Sequence, residues 1–215
     1  MKKCIYALCC LLILKEACAN PTSFITTWTI SEDDLSLSLP IIDSGDYNFT
    51  IDYGDATEIE TIQGFWSVTT HSYSAPGTYD VNMTGHIVGI KVIEQDVAKL
   101  VNIGQWGNVN LGNEGYCFKE CSNLDITAMD ALNLTSVTNL DSVFYGATAL
   151  TFDPGAIQAW DTSRITNLHA LFSQAYSFNA DIGSWDVSRS TYIYNLYILC
   201  YVINLSHFAF SLFIS

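Results

Sequence analysis

The residues best suited to catalysis are four histidines, His71, His86, His169 and His207. None of them lies in the H-E-x-x-H pattern of a zinc protease. The chain also contains neither the G-x-S-x-G turn of a serine hydrolase nor the G-x-G-x-x-G loop of a dinucleotide site. The sequence therefore predicts no catalytic residue and a protein that is not an enzyme.

Carboxylates are the other candidates for chemistry, and four aspartates lie close together around one predicted turn, at positions 43, 46, 52 and 55. Carboxylate oxygens are the ligands that calcium prefers, which makes Asp52 and Asp55 the calcium candidates. Aspartates at turns also accept hydrogen bonds from the backbone two residues ahead, without any ion. We expect this second role and predict no cofactor, with calcium as the alternative.

The cysteines indicate neither a zinc site nor a disulfide-rich scaffold. Four of the seven lie before residue 20, which leaves Cys117, Cys121 and Cys200. Cys117 and Cys121 are four residues apart and could form a bridge. We expect instead that they are small buried apolar residues.

The first residues predict export. Lys2 and Lys3 precede the apolar run CIYALCCLLIL, and small residues follow at positions 17 and 19, as in a signal peptide spanning 1–19. The alternative is lipidation at Cys18. Cleavage after residue 19 would change the formal charge of the chain from −14 to −16. From the signal peptide we expect a secreted or cell-surface protein. Because so acidic a protein repels phosphate backbones, we expect no nucleic-acid partner.

Residues 24–90 alternate apolar and polar residues between Gly, Pro and Asp turns, which predicts short strands. Tyr47, Phe49 and Ile51 would share one face of such a strand. The segments YNFTIDYGDATE and HSYSAPGTYDVNMTG resemble the PKD (polycystic kidney disease) domain, with Ala56 where that family usually has glycine. The resemblance implies an extracellular immunoglobulin-like β-sandwich in which His71 forms an internal hydrogen bond.

An internal repeat begins near residue 100. FKECSNL, FYGATAL and FSQAYSF align with their phenylalanines 26 and 28 residues apart, and the motif W-D-x-S occurs at 160–163 and 185–188. Because Asp161 and Asp186 are equivalent, we expect them to have a structural role in turns. Stacked repeats bury what a single repeat cannot bury alone, which predicts a solenoid.

The spacing within each repeat predicts one short helix and one strand. Apolar residues at i, i+3 and i+4 favour helices over 138–144 and 166–172, with His169 on a polar face. The segments 156–163 and 181–188 would then be the strands. The predicted core of the repeats is Phe118, Leu124, Leu140, Phe144, Leu150, Trp160, Leu168, Phe172, Phe178 and Trp185.

The segments SFNADIGSWDVS and ITNLHALFSQAYSFN resemble the repeats of BspA-like leucine-rich-repeat surface proteins, a domain-of-unknown-function repeat family. The resemblance covers residues 100–190. It implies a surface protein in a family linked to adhesion and to contacts with extracellular protein or glycan.

Residues 190–215 contain no Lys, Arg, Asp or Glu and interrupt the repeat. Their length would allow them to cross a bilayer. Three interpretations stay open: sequence translated out of frame, a membrane anchor, and a hydrophobic cap on the repeats.

The predicted organisation is a signal peptide at 1–19, a PKD-like sandwich at 20–95, a BspA-like repeat solenoid at 96–189 and a hydrophobic tail at 190–215. The fold class is mostly β with short helices: an immunoglobulin-like sandwich followed by a short leucine-rich-repeat-like α/β solenoid. We expect adhesion or binding to extracellular protein or glycan, with membrane contact only through the tail. The alternative is a truncated accessory region of a secreted hydrolase.

Overall fold

The computed structural model describes residues 21–42, 45–65 and 69–196. The predicted signal peptide and most of the predicted tail lie outside this part of the chain. The described residues are mostly β, with very few helices. The strands are β1 Phe24–Ile30, β2 Ser36–Ser38, β3 Asp46–Asp52, β4 Glu60–Phe65, β5 Thr70–Ser72, β6 Gly77–His86, β7 Leu100–Gln105 and β8 Asp125–Ile126. The helical segments are a 3₁₀ turn at Glu94–Asp96 and the helix α1 at Pro154–Gln158.

Six strands form one sheet in the order β4-β3-β6-β1-β7-β8, and β2 pairs with β5 in a second, two-stranded sheet. All pairs are antiparallel except β7 with β8, which is parallel. In β3, Tyr47, Phe49 and Ile51 are buried, whereas the residues Asn48 and Thr50 between them are exposed. Alternation along the strand therefore places one face of this sheet in the core, as the sequence pattern predicts.

An ion cluster fastens the segment before β7 to the second sheet. The Lys99 ammonium lies 2.6 Å from Asp96 Oδ1 and 2.7 Å from Asp34 Oδ2, and it donates to the Ser36 carbonyl. The other carboxylate oxygen of Asp96, a residue that is 1% exposed, accepts the Ser38 N–H. Hydrogen bonds from Lys99 and Ser36 lower the pKa of Asp34 to about 2. Burial alone would lower the pKa of Lys99, but its bonds to Asp34 and Asp96 outweigh burial and raise that pKa.

Beyond β7 the chain forms stacked segments that share one backbone register. We call residues 113–121, 139–147, 167–175 and 192–196 rungs 1 to 4. Parallel bridges join rung 2 to rung 3 at Asn139–Asn167, and rung 3 to rung 4 at Asn167–Tyr192. A second column of parallel pairing runs from Ile103 to Ile126 and then to Phe152.

Within a rung the backbone N–H groups point alternately to the next rung and to the same rung. The donors from rung 2 to rung 3, with N···O distances of 2.8–3.0 Å, are Leu140, Ser142, Phe144 and Gly146. Between them, Val143, Tyr145 and Ala147 donate to the carbonyl three residues earlier, at 3.1–3.3 Å. Rungs 1 and 3 repeat this alternation at their equivalent positions. The buried backbone of each rung is thereby paired without a continuous strand or helix.

Two positions in the repeating segment adopt left-handed backbone angles. The first position is Tyr116, Ser142, Ala170 and Asn195, with φ between +50° and +61°. The second is Glu120, Gly146 and Gln174, with φ between +61° and +71°. These residues reverse the local curvature every fourth residue, so the chain cannot continue as a right-handed helix.

The helices predicted at 138–144 and 166–172 are therefore wrong. These segments are successive turns, because Ser142 and Ala170 interrupt any helix and alternate N–H groups bond to another rung. His169 accordingly lies on a turn. The strands predicted at 156–163 and 181–188 are also wrong. The first of them overlaps α1. Asp153 caps this helix, because its side chain accepts hydrogen bonds from the Gly155 and Ala156 N–H groups, and Pro154 occupies the first helical position.

Aromatic rings stack along the interior of the rungs. Phe118, Phe144 and Phe172 form one column, with ring centroids 5.6 and 5.8 Å apart and interplanar angles of 14° and 3°. Trp160 and Trp185 stack beside them at 5.8 Å. All ten residues predicted as the repeat core are at most 7% exposed. The remaining members are Leu124, Leu140, Leu150, Leu168 and Phe178.

The two parts of the chain share strands and side chains across the predicted boundary at residues 95 and 96. β7 lies beyond that boundary, yet it pairs with β1 on one side and with β8 on the other. Trp106 stacks on Phe24 with ring centroids 6.1 Å apart and meets Trp160 edge-on at 5.9 Å. One continuous set of buried side chains therefore runs from Phe24 to Leu196.

The rung register continues past Arg189. Leu168, Ala170 and Phe172 donate to the carbonyls of Tyr192, Tyr194 and Leu196 at 2.7–3.1 Å. The first seven residues of the predicted tail thus extend the stack, because the pairing uses backbone groups and tolerates the change in side chains. In the part of the chain that the structure describes, no helix is long and apolar enough to span a membrane.

We predict that Phe144→Ala lowers the free energy of unfolding by about 4 kcal/mol, because it opens a cavity between two stacked rings. Chemical denaturation followed by tryptophan fluorescence measures the change. Met129→Ala is the control, because Met129 is 73% exposed. It should change stability by less than about 0.5 kcal/mol. Equal losses in the two variants would contradict the stacked interior.

We predict that Lys99→Met lowers the free energy of unfolding by about 3 kcal/mol, because the buried Asp96 carboxylate loses its cation. The same denaturation measurement applies, with Lys91→Met as a matched removal of an exposed lysine. If the two methionine variants are equally stable, the ion cluster does not hold the sheets together.

Candidate functional site

His71 lies among aromatic rings in the N-terminal part. Its Nε2 atom is 2.8 Å from Asp55 Oδ2, and its ring stacks on Tyr53 with centroids 3.8 Å apart. Tyr73 meets the same ring edge-on at 4.7 Å. The internal hydrogen bond expected for His71 is therefore present. The imidazole is therefore held by Asp55 and packed between two tyrosine rings.

The two calcium candidates are occupied by turn hydrogen bonds. Asp52 Oδ1 accepts the Gly54 N–H, and Asp55 Oδ1 accepts both the N–H and the hydroxyl of Thr57. Burial would raise the pKa of Asp55, but the bonds from Thr57 and His71 lower it below its usual value. Residues 21–42, 45–65 and 69–196 contain no group of three or more side chains placed to hold a metal ion.

The turn around Asp55 also shows the consequence of Ala56. Ala56 has φ of +65°, in the left-handed region that glycine adopts most easily. Gly54 has φ of +75°, and a Cβ there would lie 2.5 Å from the Asp80 carbonyl oxygen. The turn keeps its left-handed geometry at both positions, although the second position carries a side chain.

Asp161 and Asp186 form the same turn in successive repeats. Each accepts the N–H of the serine two residues ahead, Ser163 at 3.1 Å and Ser188 at 2.9 Å. These serine hydrogen bonds lower the pKa of both carboxyls. Asn133 accepts the Thr135 N–H in the equivalent turn, so an amide serves the same purpose as a carboxylate. These side chains close turns.

A second His–Asp pair links adjacent rungs. His169 Nδ1 is 3.1 Å from Asp141 Oδ1, and the ring of Tyr194 stacks on His169 at 6.2 Å. Asp141 Oδ2 accepts from the Tyr116 hydroxyl at 3.4 Å. The Ser142 hydroxyl donates to the same Asp141 oxygen at 2.7 Å, so this serine is hydrogen-bonded to the carboxylate and not to the imidazole. The set ties rungs 1 to 4 together along one exposed edge.

Cys117 and Cys121 are both buried and unbridged. Burial raises the pKa of the Cys117 thiol to about 12 and also raises that of Cys121. Such thiols stay protonated and unreactive near neutral pH. The two cysteines fill space in the core, which agrees with the sequence-based expectation.

A concave surface lies beside the rungs. It is an open groove of about 610 Å³, which we call the arginine groove. Its lining residues are Thr135, Ser136, Thr138, Arg164, Thr166 and Arg189. Each arginine lies three residues before the start of its rung, and Ser136 is the equivalent residue before rung 2. The groove therefore runs across the stack and takes one equivalent position from before each of rungs 2, 3 and 4.

Thr138 and Thr166, which line the arginine groove, belong to a ladder of hydrogen-bonded threonines that continues to Thr191. The Thr138 carbonyl accepts the N–H and the hydroxyl of Thr166, at 2.8 and 3.1 Å. The Thr166 carbonyl accepts the same two groups of Thr191, at 2.9 and 3.3 Å. In rung 1 a side-chain oxygen replaces the threonine carbonyl, since Asn113 Oδ1 accepts the N–H and the hydroxyl of Thr138. These bonds hold the exposed threonines at one-rung spacing.

Arg164 and Arg189 are exposed, and they are the only two arginines in the chain. Among residues 21–42, 45–65 and 69–196 neither of them forms an ion pair. Their nearest acidic neighbours in the sequence are Asp161 and Asp186, whose carboxylates accept turn hydrogen bonds from serines. The guanidinium groups are thus available to a ligand. The sequence analysis did not identify either arginine. Their equivalent positions after the serine of each W-D-x-S motif could have indicated them.

The comparisons with known proteins concern mainly the repeat region. A family model described as "Mycoplasma protein of unknown function, DUF285" matches residues 95–211. The match begins within the 3₁₀ turn at Glu94–Asp96, ahead of β7, and extends into the predicted tail. No curated protein and no solved structure matches the chain. Because the family model covers more than half of the sequence, the chain belongs to the DUF285 family of proteins of unknown function.

Proposed function

We propose that this protein is a secreted or cell-surface protein without catalytic activity that binds extracellular protein or glycan through the exposed side of its repeats. In this proposal the N-terminal part is a PKD-like sandwich, and the repeat region is a short BspA-like solenoid. The observation that carries the proposal is the arginine groove, in which equivalent side chains of successive repeats line one concave surface.

The groove has the form expected of a site for an extended ligand. Its polar groups recur at the spacing of adjacent rungs, about 4.8 Å for paired backbones. A polymer lying across the rungs would therefore meet a similar set of side chains at each step. Individually weak contacts then add along the ligand, which is how repeat proteins use extended surfaces.

The structural roles of the histidines, aspartates and cysteines support a binding function. Both described His–Asp pairs are engaged in packing or in contacts between rungs. The repeated aspartates close turns, and the two described cysteines are buried. Arg164 and Arg189 of the arginine groove are exposed and form no ion pair within the described residues. A site built this way can hold a ligand but offers no paired acid and base to transform it.

Arrays of extracellular matrix proteins and of glycans test this proposal with the full chain, kept soluble by a mild detergent. We expect specific binding to at least one class of ligand, without release of cleaved products. A Ser136→Trp variant should weaken that binding by at least about tenfold, because the indole would fill one end of the groove.

The control is Ile59→Trp, which adds an indole at a residue that is 63% exposed and lies between β3 and β4. It should bind as the unmodified chain does. Absence of binding by the unmodified chain on both arrays would reject the binding function. Product release would reject its non-enzymatic character and favour the hydrolase alternative. Undiminished binding by Ser136→Trp would place the site elsewhere.

A further inference from the structure

The arginine groove combines two kinds of hydrogen-bonding group in a definite arrangement. The hydroxyl hydrogens of Thr138 and Thr166 are donated within the protein, to Asn113 Oδ1 and to the Thr138 carbonyl. Their oxygen lone pairs remain as acceptors. The guanidinium groups of Arg164 and Arg189 supply donors only. A matching ligand must offer hydroxyl donors and anionic acceptors close together.

We infer that the arginine groove binds an acidic glycan, with the sulfate or carboxylate groups of the sugar held by Arg164 and Arg189. Sugar hydroxyls supply donors to the threonine and serine oxygens, and the acidic substituents accept from the guanidinium forks. This inference rests on the proposed binding function and adds the chemical class of the ligand.

The backbone of the groove argues against an acidic peptide as the ligand. Peptides are commonly held in extended form through a free strand edge, where backbone N–H and C=O groups of the protein are available. Here the Thr138 and Thr166 carbonyls each accept hydrogen bonds from the next rung. The Thr166 and Thr191 N–H groups are the donors of those bonds. Recognition in the groove therefore has to use side chains, which suits a polyhydroxylated ligand.

The charge of the whole chain affects how strongly such a ligand binds. The formal charge is −14, so a long polyanion is repelled by most of the surface and attracted only at the groove. Asp161 and Asp186 also lie near the arginines, with their carboxylates held in turns. Binding should consequently involve a short acidic segment of the glycan. It should weaken as salt concentration rises, because the contacts are exposed.

The test compares polymers that differ in one property, with binding to the full chain measured by biolayer interferometry. Dextran sulfate and unmodified dextran share a backbone, polygalacturonate carries carboxylates in place of sulfates, and poly-L-glutamate is the acidic peptide. We expect binding to one or both acidic glycans and at least about tenfold weaker binding to dextran and to polyglutamate.

The double variant Arg164→Gln/Arg189→Gln should lose at least about tenfold of the affinity for the acidic glycan. The matched control is Lys91→Gln/Lys119→Gln, which removes the same charge from two exposed lysines outside the groove and should keep most of the affinity. Circular dichroism spectra of the two double variants check that both are folded. A difference between sulfate and carboxylate polymers would identify the acidic group.

Several results would overturn the inference. Equal loss in the two double variants would show that only net charge matters. Polyglutamate binding as tight as that of the acidic glycans would show that the ligand class is acidic polymer in general. Binding of neutral glycans or matrix proteins, unaffected by the arginine substitutions, would leave the proposed function standing and reject an acidic ligand. Absence of binding to every polymer and both arrays would reject the proposed function itself.

Discussion

The pairing of backbone N–H groups between rungs is the interaction on which the rest of the repeat region depends. Every second N–H of a rung bonds to the next rung, and the residues between bond within their own rung. A segment this short could not otherwise pair its buried backbone, because it forms neither a full helix nor a full strand. The arrangement requires left-handed angles at positions such as Ser142 and Ala170. That local cost is tolerated because four rungs repeat it in register.

This constraint divides the side chains of each rung into two classes. Residues that point inward are mostly apolar, and the aromatic ones stack on their equivalents one rung away, as Phe118, Phe144 and Phe172 do. Residues that point outward are free of that demand and can change without loss of the stack. The six-stranded sheet continues from the N-terminal part into the repeat region, since β7 pairs with both β1 and β8. Variation in ligand binding is therefore expected in outward positions, and variation in stability in inward ones.

The sequence revealed the period and the inward residues, because burial of stacked aromatic side chains imposes a strong pattern. It did not reveal the local conformation. Apolar residues at i, i+3 and i+4, such as Leu140, Val143 and Phe144, fit a helical face, but they fit successive turns equally well. The helix and the successive turns differ in the left-handed backbone angles at Ser142 and Ala170. Because neither residue is glycine, the sequence does not indicate a left-handed angle at these positions. The arginine groove was missed for a related reason. Its residues are separated along the chain and become neighbours only when rungs align.

The contrast between histidines and arginines is the basis on which we propose binding and not catalysis. A catalytic pair must be exposed to its substrate and free to exchange protons. His71 is stacked on Tyr53 with its nitrogen on Asp55, so its orientation serves the fold. The guanidinium of an arginine remains charged at all relevant pH values and cannot act as a base. A surface whose available polar groups are two arginines and a row of hydroxyls can orient and retain a ligand.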